Sequence, residues 1–215
     1  MAGHSPAAPG GRRIALVTAA DSRYFAGLRR LLAPLFRAGA TPPWQLRILD
    51  LGLASAERQA VEALVPGAVF LEPAWMHPAA AGPGLAPHRR VFPAKPHLPD
   101  LFPGFDAYVW IDADIWLQDP AVVGTYVEAA GRTGLALVSE VDRSYRQRER
   151  FRTTRLLGRT VLRGYRGYLF DRLQEYYGRT DALSLGLRPN LNSGFFCMTA
   201  AAPHWRAWQA SLAAA

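Results

Sequence analysis

YVWIDADIWLQDP, residues 108–120, indicates the fold class of this chain. An apolar run of β-forming residues leads to Asp112 and Asp114, and Asp119 and a proline follow. We expect a buried strand that ends at the first two aspartates. In a parallel α/β sheet, ligands bind in the crevice at the carboxyl ends of the strands. The stretch therefore predicts both a sheet of this kind and the position of its site.

Strand-like and helical segments alternate along the rest of the chain, which is typical of a mostly parallel sheet flanked by helices. RIALVTAAD, residues 13–21, predicts the first strand, and residues 22–39 follow with helical spacing that includes Pro34. Further strands are expected at residues 44–51, 68–72, 134–140 and 194–200. Further helices are expected at residues 54–65, capped by Ser55, at 121–130, capped by Asp119, and from Pro203 onward.

Two segments interrupt this alternation. Residues 73–103 are rich in Pro, Gly and His, which predicts either a lid or binding loop or a surface excursion. Residues 143–179 are dense in arginine, with Tyr, Phe and Leu between the charges. We expect an amphipathic helical pair with a solvated basic face, and an anion-facing wall or a membrane-surface contact are the alternatives.

Charge and cysteine content narrow the function classes. The 215 residues carry a formal net charge of +8, which favours an anionic partner such as a nucleic acid, a membrane surface or a phosphorylated small molecule. Lys95 is the only lysine, so the arginine excess can reflect coding bias, and no nucleic acid is expected. Cys197 is the only cysteine, which excludes a disulfide framework and predicts core packing.

Targeting signals are not evident in the sequence. Residues 1–12 contain no apolar signal segment, and no apolar stretch has membrane-spanning length. We expect these residues to be a flexible lead and the protein to be soluble and cytoplasmic, with peripheral contact at the inner membrane surface as an option. Half of the residues are hydrophobic, which is sufficient for one core and favours a single domain over residues 13–215.

The aspartate pair carries the clearest chemistry. Side chains two residues apart on an extended segment lie on the same side, so Asp112 and Asp114 can bind one cation together. Two hard oxygen donors suit Mg²⁺ or Mn²⁺, whose other ligands come from water and a bound phosphate. Helix capping or strand bending is the structural alternative, but two unpaired carboxylates beside an apolar strand repel each other. The sequence lacks a P-loop, a dinucleotide-binding glycine fingerprint, a nucleophile elbow and metal-spaced histidines.

Three stretches together resemble glycosyltransferase family 8. They are RIALVTAADSRYFAGL, YVWIDADIWLQDP and NLNSGFF, in that order and at comparable spacing. The resemblance implies a GT-A fold with a nucleotide-binding part at residues 13–120 and an acceptor-side part at 121–215. It also implies a UDP-sugar donor, a Mn²⁺ ion between the D-x-D carboxylates and the diphosphate, and transfer with retention of configuration to a glycan, lipid-linked or protein acceptor.

The resemblance assigns a role to each matching residue. Ala19, Asp21 and Tyr24 would hold the uridine, with the Tyr24 ring on the base. Asp112 and Asp114 would bind the metal, and Lys95 would contact the donor sugar or its phosphates. Asn192 would line the sugar site, and Asp142 would face donor or acceptor. From residue type and local sequence alone, we would instead interpret Asp21 as a helix cap and Tyr24 as a core residue. Lys95 would be interpreted as a loop lysine and Asn192 as a turn residue.

The sequence departs from the family pattern at its end. An acidic Gln-Asp segment and a histidine in an H-x-x-G-x-x-K-P-W-like motif, which supplies a further metal ligand, are expected in the family and are not found. The domain is therefore expected to be C-terminally incomplete. A non-catalytic nucleotide-sugar-binding domain stays open as an alternative, as does, more remotely, a nucleic-acid-binding protein that uses residues 143–179. A haloacid-dehalogenase-type phosphatase also carries a D-x-D at the end of a strand, but there the motif normally sits on the first strand and a lysine is needed further along the chain. No lysine follows Lys95, so this class is disfavoured.

Overall fold

The computed structural model describes residues 11–37, 42–73, 87–139, 149–186, 188 and 191–214. In chain order the elements are β1 (Ile14–Ala20), α1 (Phe25–Leu35), β2 (Trp44–Asp50), α2 (Ser55–Leu64), β3 (Val69–Leu71), a 3₁₀ helix (Pro87–His97), α3 (Leu98–Leu101), β4 (Ala107–Ile111), α4 (Val122–Thr133), β5 (Leu135–Ser139), β6 (Glu149–Leu156), β7 (Arg159–Gly167), α5 (Tyr168–Gly186), β8 (Leu191–Thr199) and α6 (His204–Ala213). The chain divides into two compact units, of which the first comprises residues 1–137 and 193–214 and the second residues 138–192.

The central sheet has six strands in the order β3-β2-β1-β4-β8-β5. The pairs β2–β3, β1–β2 and β1–β4 are parallel, and β8 runs antiparallel to β4. All five residues of β4 are buried, as expected for a strand with covered faces. The predicted α/β class, a mostly parallel sheet flanked by helices, is confirmed.

Helices cover both faces of this sheet. On one face, α1 contributes Leu28, Leu31 and Leu32, whose helical spacing forms an apolar stripe against Leu16 and Ile48. On the other face, the 3₁₀ helix, α3 and α6 bury apolar side chains against β1 and β4. The 3₁₀ helix and α3 occupy part of the segment in which the sequence showed no regular pattern, because four prolines among residues 87–99 disguise the helical spacing.

Two helix starts differ in how well their caps were predicted. Ser55 does not cap α2. The backbone N–H of Ala54, the N-cap residue, instead donates to Glu57 Oε2 at 2.8 Å. The hydrogen-bond partner at this helix start is therefore a carboxylate three residues further along the chain. Asp119 does accept the N–H of Ala121, at 2.9 Å, in the turn that leads into α4.

The second unit corrects the prediction of a helical pair in the arginine-rich segment. β6 and β7 form an antiparallel hairpin, and α5 follows with a break at Gly178, where φ is 78°. Leu157 and Gly158 form the two-residue turn with φ values of 53° and 76°, the left-handed conformation that tight hairpins require. Thr153, Thr154 and Val161 favour strands, and the frequent arginines concealed this preference.

Candidate active site

A cleft of roughly 110 Å³ lies where β1 and β4 end. The two strands are parallel, with Val17 opposite Trp110, so their carboxyl ends meet at one edge of the sheet. Most of the predicted site residues in the first unit line this cleft, together with apolar neighbours. The lining residues are Ala19, Ala20, Asp21, Tyr24, Leu51, Val91, Phe92, Trp110, Asp112, Ala113 and Asp114.

Asp21 shapes the turn between β1 and α1. Its Oδ1 accepts the backbone N–H of Arg23 at 3.0 Å and that of Tyr24 at 3.2 Å, and only 5% of the residue is exposed. These bonds make Asp21 a turn residue and not the helix cap that its type alone predicts, because the N-cap of α1 is Tyr24 and has no side-chain cap hydrogen bond. Because the turn is fixed in this way, the half-buried Tyr24 is held at the mouth of the cleft.

Asp112 is bound by two donors from different parts of the chain. Lys95 Nζ donates to Asp112 Oδ1 at 3.0 Å, and the indole N–H of Trp110 donates to the same oxygen at 2.7 Å. Trp110 lies two residues before Asp112, so the two side chains point to the same side of the extended backbone. Lys95 also donates to the carbonyl of Ser193 at 3.0 Å. The carboxylate is therefore held in a defined orientation.

Lys95 is a fully buried cation. It is 0% exposed, and its Nζ lies 4.8 Å from the ring centroid of Trp110 and 5.3 Å from that of Phe92. Burial lowers the pKa of the ammonium, and the negative charges of Asp112 and Asp114 oppose that shift. The carboxylates and the two aromatic faces thus stabilise a positive charge directly behind the residues that line the cleft.

The backbone between the two aspartates is packed tightly against α1. A Cβ atom placed on Gly27 would lie 2.6 Å from the carbonyl oxygen of Ala113, closer than real Cβ contacts. Ala113 itself is buried, whereas Asp114 is exposed. The absence of a side chain at Gly27 therefore lets α1 approach the loop that carries the D-x-D pair.

The donor set at the cleft suits a hard cation but does not enclose one. Among the residues that the structure describes, no group of three or more His, Cys, Asp or Glu side chains is placed to hold a metal ion. Oδ1 of Asp112 already accepts two hydrogen bonds, so Oδ2 and the exposed Asp114 carboxylate are the more accessible oxygens. Such a pair fits Mg²⁺ or Mn²⁺ if phosphate and water supply the other ligands.

Two predicted site residues are not placed at this cleft. Asp142 lies outside the described residues. Asn192 is an exposed residue of β8 that belongs to the second unit, and Ser193, the next residue, supplies the carbonyl bound by Lys95. The sequence analysis missed Trp110, although its position two residues before Asp112 was a usable signal. It also missed Phe92, which no motif marks.

Solved structures with similar folds were found by comparison of the coordinates. The galactosyltransferase LgtC, in complex with donor and acceptor sugar analogues, superposes with a TM-score of 0.56 at 16% identity over 91% of this chain. The bifunctional glycosyltransferase WbbM, in its apo form, superposes with a TM-score of 0.56 at 14% identity over 94% of this chain. This chain has a GT-A fold.

The GT-A assignment concerns the fold, because both identities are low. The chain spans 59% of the length of LgtC and 33% of that of WbbM. No protein-family model and no curated protein matches the sequence. The resemblance to glycosyltransferase family 8 within the GT-A group stays a prediction. No helix in the described ranges has both the length and the apolar character needed to cross a membrane.

Proposed function

We propose that this chain is a metal-dependent glycosyltransferase that moves a sugar from a UDP-sugar to an acceptor glycan, lipid-linked glycan or protein. The observation that carries the proposal is the fully buried Lys95, 3.0 Å from Asp112 in a cleft at the carboxyl ends of β1 and β4. A buried cation beside a pair of carboxylates is suited to a ligand that carries its own negative charge. A nucleoside diphosphate bound through a divalent cation is such a ligand.

Donor binding is assigned to the β1 side of the cleft. Tyr24 would pack its ring on the uracil base, as aromatic rings do on flat heterocycles. Ala19 and Ala20 leave room for the nucleoside because their side chains are small. Asp21 would maintain the turn that positions Tyr24, and the half-buried Leu51 adds apolar surface.

Charge stabilisation is assigned to the β4 side. Asp112 and Asp114 would hold a Mn²⁺ or Mg²⁺ ion, which when bound supplies positive charge to the diphosphate. Lys95 would add a second positive charge where the sugar–phosphate bond breaks and negative charge develops on the leaving UDP. Phe92 and Val91 would limit the access of water to the bond. Retention of configuration rests on the family resemblance, and we assign no nucleophile.

The remaining roles complete the proposal. Asn192 would line the site of the donor sugar, and Asp142 would face the donor or the acceptor. Both assignments follow from position in the family motifs. Asn192→Ala and Asp142→Ala should each lower the rate of sugar transfer while leaving the affinity for UDP unchanged.

The decisive experiment measures UDP release from a panel of UDP-sugars, with and without Mn²⁺. The wild type is compared with Asp114→Ala and with Glu62→Ala, a control that removes an exposed carboxylate from α2. We expect Mn²⁺-dependent release in the wild type and the control, and a loss of at least tenfold in Asp114→Ala. UDP binding that is equally strong without metal and unchanged in Asp114→Ala would exclude the proposed metal site.

A non-catalytic nucleotide-sugar-binding domain is the second candidate. It is favoured by the two-carboxylate donor set, because no third His, Cys, Asp or Glu side chain among the described residues is placed to complete a metal site. Calorimetric titration with UDP-sugars distinguishes the candidates when combined with the release assay. Metal-dependent binding without release of UDP, with acceptors from each class present, would support this candidate.

A further inference from the structure

A second groove lies on the outer side of α1 and is not used by the proposed reaction. We call it the α1 groove, and it is lined by Arg30, Ala33, Pro34, Arg37, Trp116, Leu117 and Gln118. Trp116 is 76% exposed, an unusual position for a large aromatic ring. None of these lining residues carries a negative charge. The groove thus combines an exposed indole with two guanidinium groups and small apolar side chains.

Exposed arginines lie in the middle of α1 and beyond each of its ends. Arg29 and Arg30 are exposed on the helix, Arg23 precedes it, and Arg37 follows it. The helix itself contains no acidic residue. At about 1.5 Å per residue, this stripe extends for roughly 20 Å, which is much longer than one phosphate group. The charge therefore matches an extended anionic surface better than a single small anion.

The two arginines of the groove are available for such a surface. Within the part of the chain that the structure describes, neither Arg30 nor Arg37 forms a hydrogen bond or an ion pair. By contrast, the exposed Arg132 on α4 pairs with Glu128 at 2.7 Å. Arg30 and Arg37 can therefore bind an external anion without breaking a contact to any residue in the described ranges.

We infer that the α1 groove docks on an anionic phospholipid surface. Each arginine near such a surface adds electrostatic attraction. A tryptophan is favoured at the level of the headgroups because its ring is apolar while its N–H can still donate a hydrogen bond. Ala33 and Pro34 add small apolar surface to the groove beside the indole. A nucleic acid is a competing polyanion, and the experiment below includes it.

Docking through this surface also has a consequence for the cleft. Trp116 lies two residues after Asp114, and Gly27 of α1 packs against Ala113. Lipid contact by α1 and Trp116 would therefore keep the D-x-D loop close to the membrane. The docking itself does not depend on the proposed function. Only the further step, in which the cleft receives a lipid-linked acceptor, rests on it.

The test is sedimentation of the full chain with vesicles at about 0.1 M salt. Vesicles of equal parts phosphatidylglycerol and phosphatidylcholine are compared with vesicles of phosphatidylcholine alone. We expect binding to the anionic vesicles that weakens as salt increases, and little binding to the neutral ones. Brominated lipids should quench the tryptophan fluorescence of the wild type more than that of Trp116→Phe. Because the protein has six tryptophans, this difference in quenching isolates the contribution of Trp116.

Matched variants locate the surface. Arg30→Gln combined with Arg37→Gln should weaken binding roughly 30-fold, from two lost charges. Arg155→Gln combined with Arg159→Gln removes the same charge from the exposed hairpin of the second unit and should leave binding within about twofold. Thermal melts and UDP release without vesicles should be the same for all of them, so failure of this inference is distinct from failure of the proposed function.

Three results would overturn the inference. The first is an equal loss of binding in the hairpin variant, and the second is equal binding to neutral vesicles. The third is binding to a single-stranded oligonucleotide, at the same salt, that is tighter than binding to the anionic vesicles and sensitive to Arg30→Gln with Arg37→Gln. That last result would reassign the α1 groove to nucleic acid.

Discussion

Lys95 Nζ and Asp112 Oδ1 lie 3.0 Å apart, and the lysine is the fully buried member of the pair, while the aspartate side chain is 32% exposed. The asymmetry matters for function. A buried ammonium is costly unless it is paired, whereas a carboxylate at the cleft surface can still bind a ligand. The arrangement places one cationic group behind the residues that line the cleft and leaves the aspartate pair accessible.

Replacement of Lys95 by methionine tests this charge. Lys95→Met keeps the length and apolar contacts of the side chain but removes the ammonium, so we expect turnover of the UDP-sugar to fall by about 10²-fold to 10³-fold. The free energy of unfolding should fall by about 1–2 kcal/mol, because the lost ion pair is partly offset by relief of lysine desolvation. Arg132→Met, on the exposed surface, is the control for both measurements. Full turnover in Lys95→Met would refute the role.

Trp110 is expected to orient Asp112. Trp110→Phe keeps an aromatic ring in the core but removes the N–H that donates to Asp112 Oδ1, and we expect Mn²⁺ affinity to fall by about tenfold. Electron paramagnetic resonance of Mn²⁺ measures this without substrate. Trp208→Phe, which changes a partly buried ring that contacts Phe196, should leave the affinity unchanged. Equal affinities in the two variants would show that the indole N–H has no orienting role.

Close packing of α1 on the D-x-D loop predicts opposite results for two glycine substitutions. Gly27→Ala places a methyl group against the Ala113 carbonyl, so we expect a loss of about 1–3 kcal/mol in the free energy of unfolding. Gly124→Ala in α4 meets nothing within 4 Å and should gain about 0.5–1 kcal/mol from helix propensity. Denaturant titration measures both. A neutral Gly27→Ala would mean that α1 can move away at little cost.

Much of the cleft could be predicted from sequence because its parts lie at the ends of strands. Asp112 and Asp114 follow an apolar run, and Asp21 follows another, so each was placed by its strand. Lys95 was different: no local pattern marks a lysine that is buried by a 3₁₀ helix, and the family resemblance alone indicated it. Trp110 lies within the predicted buried strand, and a strand pattern predicts burial but not the partner of an indole N–H.

The failures of prediction also have physical causes. The hairpin at residues 149–167 contains many arginines, and charge density does not distinguish a solvated helix from a solvated two-stranded ribbon. Ser55 has a side chain that often caps helices, but Glu57 satisfies the helix start instead and also accepts from Ser22 Oγ at 2.6 Å. That second contact joins the turn after β1 to the first turn of α2, 35 residues away, which no local rule can anticipate.

Cys197 provides a test of core integrity. Burial in β8 raises the pKa of its thiol from 9.0 to about 12, so the thiolate is disfavoured in the folded protein. The neutral Cys197 thiol therefore contributes fully to the free energy of unfolding below pH 9. This contribution is lost as the pH rises from about 9 toward 12, because the unfolded chain can ionise its thiol in that range. At pH 9 the folded chain should react with a thiol reagent at least 100-fold more slowly than the unfolded chain, in which about half of the thiol is ionised. Comparable rates would show that β8 is not stably buried.

The contact between Lys95 and the Ser193 carbonyl connects residues 98 positions apart. During synthesis, a chain that has just passed β4, as far as Asp114, already contains both aspartates and the lysine, yet it lacks the strand that supplies this carbonyl. Closing so long a loop is slow relative to forming the neighbouring helices. The charged cleft is therefore completed late, after most of the parallel sheet can form, and a ribosome-bound intermediate would carry the D-x-D loop before it carries a finished site.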